Sequence, residues 1–388
     1  MSRDRAGIAL GFALVAVLVG ALAFLLARGV GLERGVPPIE ELTVERVELP
    51  APGLVRVHVV NGGPDPVTVH QVLVDDAVWS FAIEPDPTIR RLRGATIEIP
   101  YPWVEGEAHH IELISRNGIA FPVEIEVATG TPQASLGWLW RLALLGLYVG
   151  IVPVAIGLAT YPLLTRIGGR GVDFLLALTV GLLVFLSIDT LTEALELAGD
   201  VARGFHAPIL VWIVTLATLG GLLAFTARRR RRGKVGPLAL SFFIALGIGL
   251  HNLGEGLAIG SALATGAVGL GTFLIVGFTL HNITEGIGIA APLLRGEPRL
   301  RHFAGYALLA GGPAILGCWI GGLIFDPLWA ALFLAVGTGA ILQVVVEVGR
   351  LLLVGRAGAA ADPWRGEVLA GAATGLAIMY ATALLVPA

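Results

Sequence analysis

The sequence predicts a polytopic α-helical membrane protein: an eight-helix core preceded by one anchor helix and a small β-sandwich-like domain. Three observations lead there. Hydrophobic residues make up 55% of the 388-residue chain and charged residues only 14%, against roughly 25% charged in ordinary soluble domains. Stretches of roughly 20 mostly apolar residues, the length a helix needs to cross a bilayer, recur along the chain. One interval, 33–133, departs from that pattern and alternates apolar with polar residues between turn signals, which is the periodicity of strands.

The first apolar run, Gly7 to Ala27, follows Arg3 and Arg5. It is longer than the h-region of a signal peptide and is followed by no small-residue cleavage site, so 1–32 reads as a cytoplasmic tip and signal-anchor helix. In 33–133 the expected strands are Leu54–Val60, Val67–Val74, Val78–Ile83, Ala95–Ile99, His110–Ser115 and Phe121–Val127, with turns at Asn61-Gly62-Gly63-Pro64 and Asn117-Gly118. From 134 to 388 the expected spans lie near 138–164, 173–197, 207–226, 236–264, 270–294, 302–324, 327–349 and 366–386.

Positive residues fall in every second connection: Arg166 and Arg170; Arg228 to Arg232 with Lys234; Arg295, Arg299 and Arg301; Arg350, Arg356 and Arg365. Because Arg and Lys favour the cytoplasmic side, the expected topology is a multi-pass cell-membrane protein with a cytoplasmic N-terminus. Residues about 29–135 and the C-terminus lie outside the cytoplasm. The bilayer is then a partner of most of the chain, and a second copy of the chain is left open as another. Nucleic acid is excluded as a partner, since the arginine run directly after a helix serves orientation. Cys318 is the single cysteine, which excludes an intrachain disulfide and a thiolate cluster.

The chemistry sits in a repeated motif. Leu250-His251-Asn252-Leu253-Gly254-Glu255-Gly256 is echoed by Leu280-His281-Asn282-Ile283-Thr284-Glu285-Gly286. On a helix, residues at i and i+4 share a face, so His251 converges with Glu255 and His281 with Glu285. Ionisable groups at bilayer depth are costly and functional by default. One such pair could merely hydrogen-bond two helices together; two copies on consecutive antiparallel helices, related by a pseudo-twofold axis in the membrane plane, point to a transport site. Imidazole with carboxylate suits zinc, iron, manganese or cadmium, whereas calcium and magnesium favour all-oxygen shells and copper(I) favours sulfur. Asn252 and Asn282 could add carbonyl oxygens. The metal is read as transported substrate, and no catalytic cofactor is expected.

These two segments resemble the fourth- and fifth-helix metal motifs of the ZIP family of zinc and iron transporters, especially its GufA-like branch. The resemblance covers roughly Trp138 to Ala388 and implies a ZIP-like eight-helix fold and uptake of divalent metal through a binuclear centre. His251, Glu255 and Glu285 would be the principal ligands, with His281, Asn252 and Asn282 completing or bridging the two sites. Gly254 and Thr284 stand where many relatives have proline, and Ala314 lies near the place of a sixth-helix carboxylate, so a weakened second site is expected. The anchor and the β domain lie outside the resemblance.

Asp189 with Glu193 and Gln343 with Glu347 repeat the i, i+4 spacing as candidate pathway residues. The chain is not read as an enzyme: HExxH is absent, and the repeat leaves no separate general base. An intramembrane metalloenzyme and a metal-sensing receptor are the alternatives.

Overall fold

The computed structural model describes residues 39–231, 236–264, 268–323, 326–354 and 365–384, together with Val17 and Gly20. The anchor expected at 7–27 lies outside the described residues except for those two helical positions, as do Arg232, Lys234, Arg356 and Ala388.

Among the described residues, nine strands form two antiparallel sheets. These are β1 (Leu42–Ala51), β2 (Leu54–Asn61), β3 (Val67–Val74), β4 (Ala77–Trp79), β5 (Ala82–Glu84), β6 (Thr88–Ile89), β7 (Gly94–Ile99), β8 (His109–Ser115) and β9 (Ala120–Ile125). One sheet runs β1-β2-β7-β5, the other β4-β3-β8-β9 with β6 pairing β3. Val55, Val57, Val59, Ile97 and Ile99 of the first meet Val72, Val74, Ile111, Leu113 and Val123 of the second in one core, so the region is a sandwich.

Two departures from the expected strands have local causes. In β1 the apolar positions Leu42 and Val44 fall out of step with Val47 and Leu49, because a bulge shifts the register between Val44 and Arg46. The expected single strand Val78–Ile83 is two, since β4 pairs with β3 in one sheet and β5 with β7 in the other. The chain changes sheets at Ser80 and Phe81.

Asp75 and Asp76 both take positive φ, 50° and 64°, in the two-residue turn from β3 to β4. Asp75 accepts hydrogen bonds from Tyr101 Oη at 2.7 Å, His109 Nδ1 at 2.9 Å and the His110 N–H at 2.9 Å. Burial acts to raise the Asp75 pKa, but the bonds from His110, His109 and Tyr101 hold it below the ordinary carboxylate value. Burial, and after it the same carboxylate, push the Tyr101 hydroxyl up to about 12.

Eight long helices follow among the described residues: α1 (Leu136–Leu164), α2 (Gly169–Gly199), α3 (Ala207–Arg231), α4 (Pro237–Ala264), α5 (Val268–Leu293), α6 (Leu300–Leu323), α7 (Pro327–Val354) and α8 (Gly366–Ala383). Among the described residues, seven are long and apolar enough to cross a membrane. The remaining one, α5, has 26 residues, which is also length enough. The molecule is therefore a polytopic membrane protein. The α2–α3 connection abuts the β sheets, where a Cβ on Gly62 would lie 3.2 Å from the Arg203 nitrogen.

Glycine contacts divide the helices into two sets. A Cβ on Gly286 of α5 would lie 2.3 Å from the Val154 oxygen of α1, one on Gly256 of α4 2.2 Å from Ala314 O of α6, and one on Gly150 of α1 2.3 Å from Gly311 O of α6. These backbones touch directly, which binds α1, α4, α5 and α6 together. Gly181 and Gly375 join α2 to α8 in the same way at 2.2 Å, and Gly339 joins α7 to α3 at 2.5 Å; an apolar cluster of Ala194 and Ala198 on α2, Val211 on α3 and Ala331 and Ala335 on α7 unites these pairs as the second set. Between the sets side chains intervene: Leu334 of α7 covers Gly254, and Thr179 of α2 lies beside Gly288. Where backbone is met there, the distances relax to 3.3 Å at Gly337 and 3.5 Å at Gly247.

At the end of the bundle that carries the basic connections, buried Asp173 of α2 ties several chain segments. Arg295, beyond α5, donates to Oδ1 at 2.6 Å, and Arg365, before α8, donates to Oδ2 at 3.0 Å. This confirms that three of the arginine-bearing connections share one end.

Candidate metal centre

Helices α4 and α5 present their motifs to each other in the first helix set. His251, Asn252, Glu255, His281, Asn282 and Glu285 are all buried. His251 Nε2 lies 3.1 Å from Glu255 Oε1, as the i, i+4 spacing requires. His281 Nε2 contacts the same Glu255 oxygen from the facing helix, and the two imidazole centroids are 6.1 Å apart.

The asparagines are oriented by their amide N–H groups. Asn282 Nδ2 donates to Glu255 Oε2 at 3.1 Å and to the Val149 carbonyl at 3.0 Å. Val149 lies in a π turn of α1, Leu147–Ile151, and Pro153 four residues on has no N–H to offer that carbonyl. Asn252 Nδ2 donates to Ala310 O of α6 at 3.0 Å. With both amide donors engaged in this way, each asparagine keeps its side-chain oxygen free of donors.

The centre is consequently short of donors. Among the described residues, Asn252 Oδ1, Asn282 Oδ1 and both carboxylate oxygens of Glu285 are buried with no hydrogen-bond partner. Four such buried oxygens are costly by themselves. A cation supplies what the protein withholds. His251, His281 and Glu285 each offer a ligand atom, all within 4.8 Å of one another. That donor set of two imidazoles and a carboxylate fits a first-row divalent ion.

The sequence repeat is thus not matched by equivalent roles. Glu255 is hydrogen-bonded by both histidines and Asn282, whereas the Glu285 oxygens, with Asn252 and both histidines near them, accept no well-formed hydrogen bond, and His281 stands level with His251 as a potential ligand. At the two positions before the motif glutamates, the Thr284 hydroxyl donates to the His281 carbonyl at 2.6 Å and Gly254 admits the Leu334 side chain. Ala314 is 1% exposed, wedged against Gly150 and Gly256.

Of the other candidates, Glu193 of α2 is half-buried within electrostatic reach of His251 and Glu255, whereas Asp189 is exposed. Gln343 donates to Thr226 of α3 at 3.1 Å, and Glu347 pairs with Arg350 at 3.1 Å. A residue that sequence reading missed is Thr190, whose Oγ1 lies 2.7 Å from His251 Nδ1. No signal marked it, since threonine in a membrane helix ordinarily bonds its own helix backbone.

No curated protein matches the chain. Residues 228–343, which include both motifs, match the family model described as ZIP Zinc transporter. By that match this polytopic membrane protein carries a ZIP-type region across its two motif helices, and divalent metal transport is the function that region supports.

Proposed function

We propose that the protein takes up divalent transition-metal ions such as zinc into the cytoplasm, through a binuclear-type site of His251, Glu255, His281 and Glu285 with Asn252 and Asn282. Within the ZIP family it belongs with the GufA-like branch. Residues 33–133 form an extracytoplasmic domain held by the N-terminal anchor, and the arginine-bearing connections face the cytoplasm.

The observation that carries this reading is the set of buried, donorless oxygens on Glu285, Asn252 and Asn282 beside two imidazoles. A structural cluster closes its own hydrogen bonds; this one leaves buried acceptors without donors. The two helix sets support the mechanism. The set bearing the motifs is bound internally by close backbone contact and meets the other through side chains and wider backbone approaches, so it moves as a body while the ion remains bound, and opens the site first outward and then inward. Histidine and glutamate ligate in their deprotonated forms, so ion affinity falls in acid.

The test is zinc influx into proteoliposomes with an enclosed metal-sensitive dye. Saturable influx that Glu255→Ala abolishes is expected. Zinc binding without influx would replace transport by a sensing or enzymatic role.

A further inference from the structure

We infer that Thr190 is a positioning residue for metal binding by His251, and that it makes the affinity of the site depend on how the two helix sets are placed. The inference rests on the transport reading above. A histidine that ligates through one ring nitrogen keeps its hydrogen on the other, and the acceptor of that hydrogen fixes both tautomer and ring orientation. Nε2 of His251 is the nitrogen turned toward Glu255, at 3.1 Å from Oε1. With a metal bound there, the hydrogen resides on Nδ1.

Thr190 Oγ1 lies 2.7 Å from that Nδ1. Its single hydroxyl hydrogen goes to the Leu186 carbonyl one turn earlier, at 2.8 Å. The hydroxyl therefore faces His251 with a lone pair and accepts from Nδ1. Thr190 is wholly buried, so the acceptor is a fixed part of the packed interior. Thr190 belongs to α2, whereas His251 belongs to α4 across the seam between the helix sets. Displacement of the motif-bearing set past α2 separates the two, and the ring loses the group that holds it in its ligating form. The ion is held firmly in the arrangement described here and more loosely once the set has moved, which favours release on the far side.

The experiment is zinc binding to the purified full chain by titration calorimetry, comparing the unaltered protein with Thr190→Val, Thr190→Ser and Glu255→Ala. Valine keeps the shape and removes the acceptor; serine keeps the acceptor. Thr190→Val is expected to raise the zinc Kd about 10–100-fold while the unfolding temperature of the metal-free protein holds, and Thr190→Ser to bind as the unaltered chain does. Thr190→Ala gives the same comparison if the valine variant is not recovered folded. Unchanged binding in the valine or alanine variant, beside lost binding in Glu255→Ala, overturns the positioning role and leaves the transport reading standing. Equal weakening by serine and valine also overturns it, because packing would then be the cause. Unchanged binding in Glu255→Ala overturns both.

Discussion

Two places in this chain bring a carboxylate together with imidazole, and they treat it in opposite ways. At Asp75 in the β sandwich, three donors converge from Tyr101, His109 and His110. At Glu285, between membrane helices, none does among the described residues, although His281 stands one turn away and His251 faces it. Both are carboxylates beside imidazole; donor count differs. A carboxylate whose lone pairs are filled is a structural joint. One whose lone pairs are empty in a buried space is a ligand. Glu255 lies between these cases, with both histidines on one oxygen and Asn282 on the other.

The comparison breaks most directly at Glu285. Glu285→Gln removes the charge but keeps the shape, and zinc Kd measured on the purified protein is expected to rise by more than about 100-fold, beyond the usual cost of a supporting residue. The same variant keeps or gains thermal stability without metal, because an uncompensated buried charge is gone. Loss of stability with affinity retained would make Glu285 a joint after all.

Asp173 sharpens the contrast from the other side. Its oxygens are both taken by arginines, so Asp173→Ala is expected to cost about 2–3 kcal/mol in unfolding experiments, the lower end for a broken buried pair because Arg295 and Arg365 keep some solvent access. Zinc affinity should not change.

The smallest effect belongs to Asp75. Its pKa lies below the unfolded value of about 3.9, so its contribution to stability is fully present above that pH and is lost as the pH falls through the folded-state value. The side chain is 42% exposed, and acidification through that window is expected to lower the β-sandwich unfolding temperature by about 2 °C or less on this account. Asp75→Asn should abolish that part of the pH dependence.

Much of this was legible in the sequence, for identifiable reasons. The spans were readable because a membrane helix must be apolar over its whole length, and β2, β3, β7 and β8 because burial on one face enforces alternation. The first strand was not, since its bulge breaks the alternation at Glu45. Nor was the change of sheet at Ser80 and Phe81, because Phe81 continues the apolar pattern across the corner. At the candidate site the motif spacing named six polar residues, all of them buried in the structure. It could not foresee that Glu255 and Glu285 differ, because the difference comes from Asn282 bonding across to α1 and from which oxygen each histidine meets. Thr190 was invisible for the same reason: its role is a contact between helices distant in sequence.

The central claim is that lone pairs on His251, His281 and Glu285 hold a divalent ion. X-ray absorption at the zinc edge, on purified protein loaded with one equivalent of zinc, tests it most directly. The account predicts a shell of nitrogen and oxygen at about 2.0–2.1 Å with the outer scattering of imidazole rings. A sulfur shell at about 2.3 Å, which would implicate Cys318, or a shell without imidazole scattering, would contradict it.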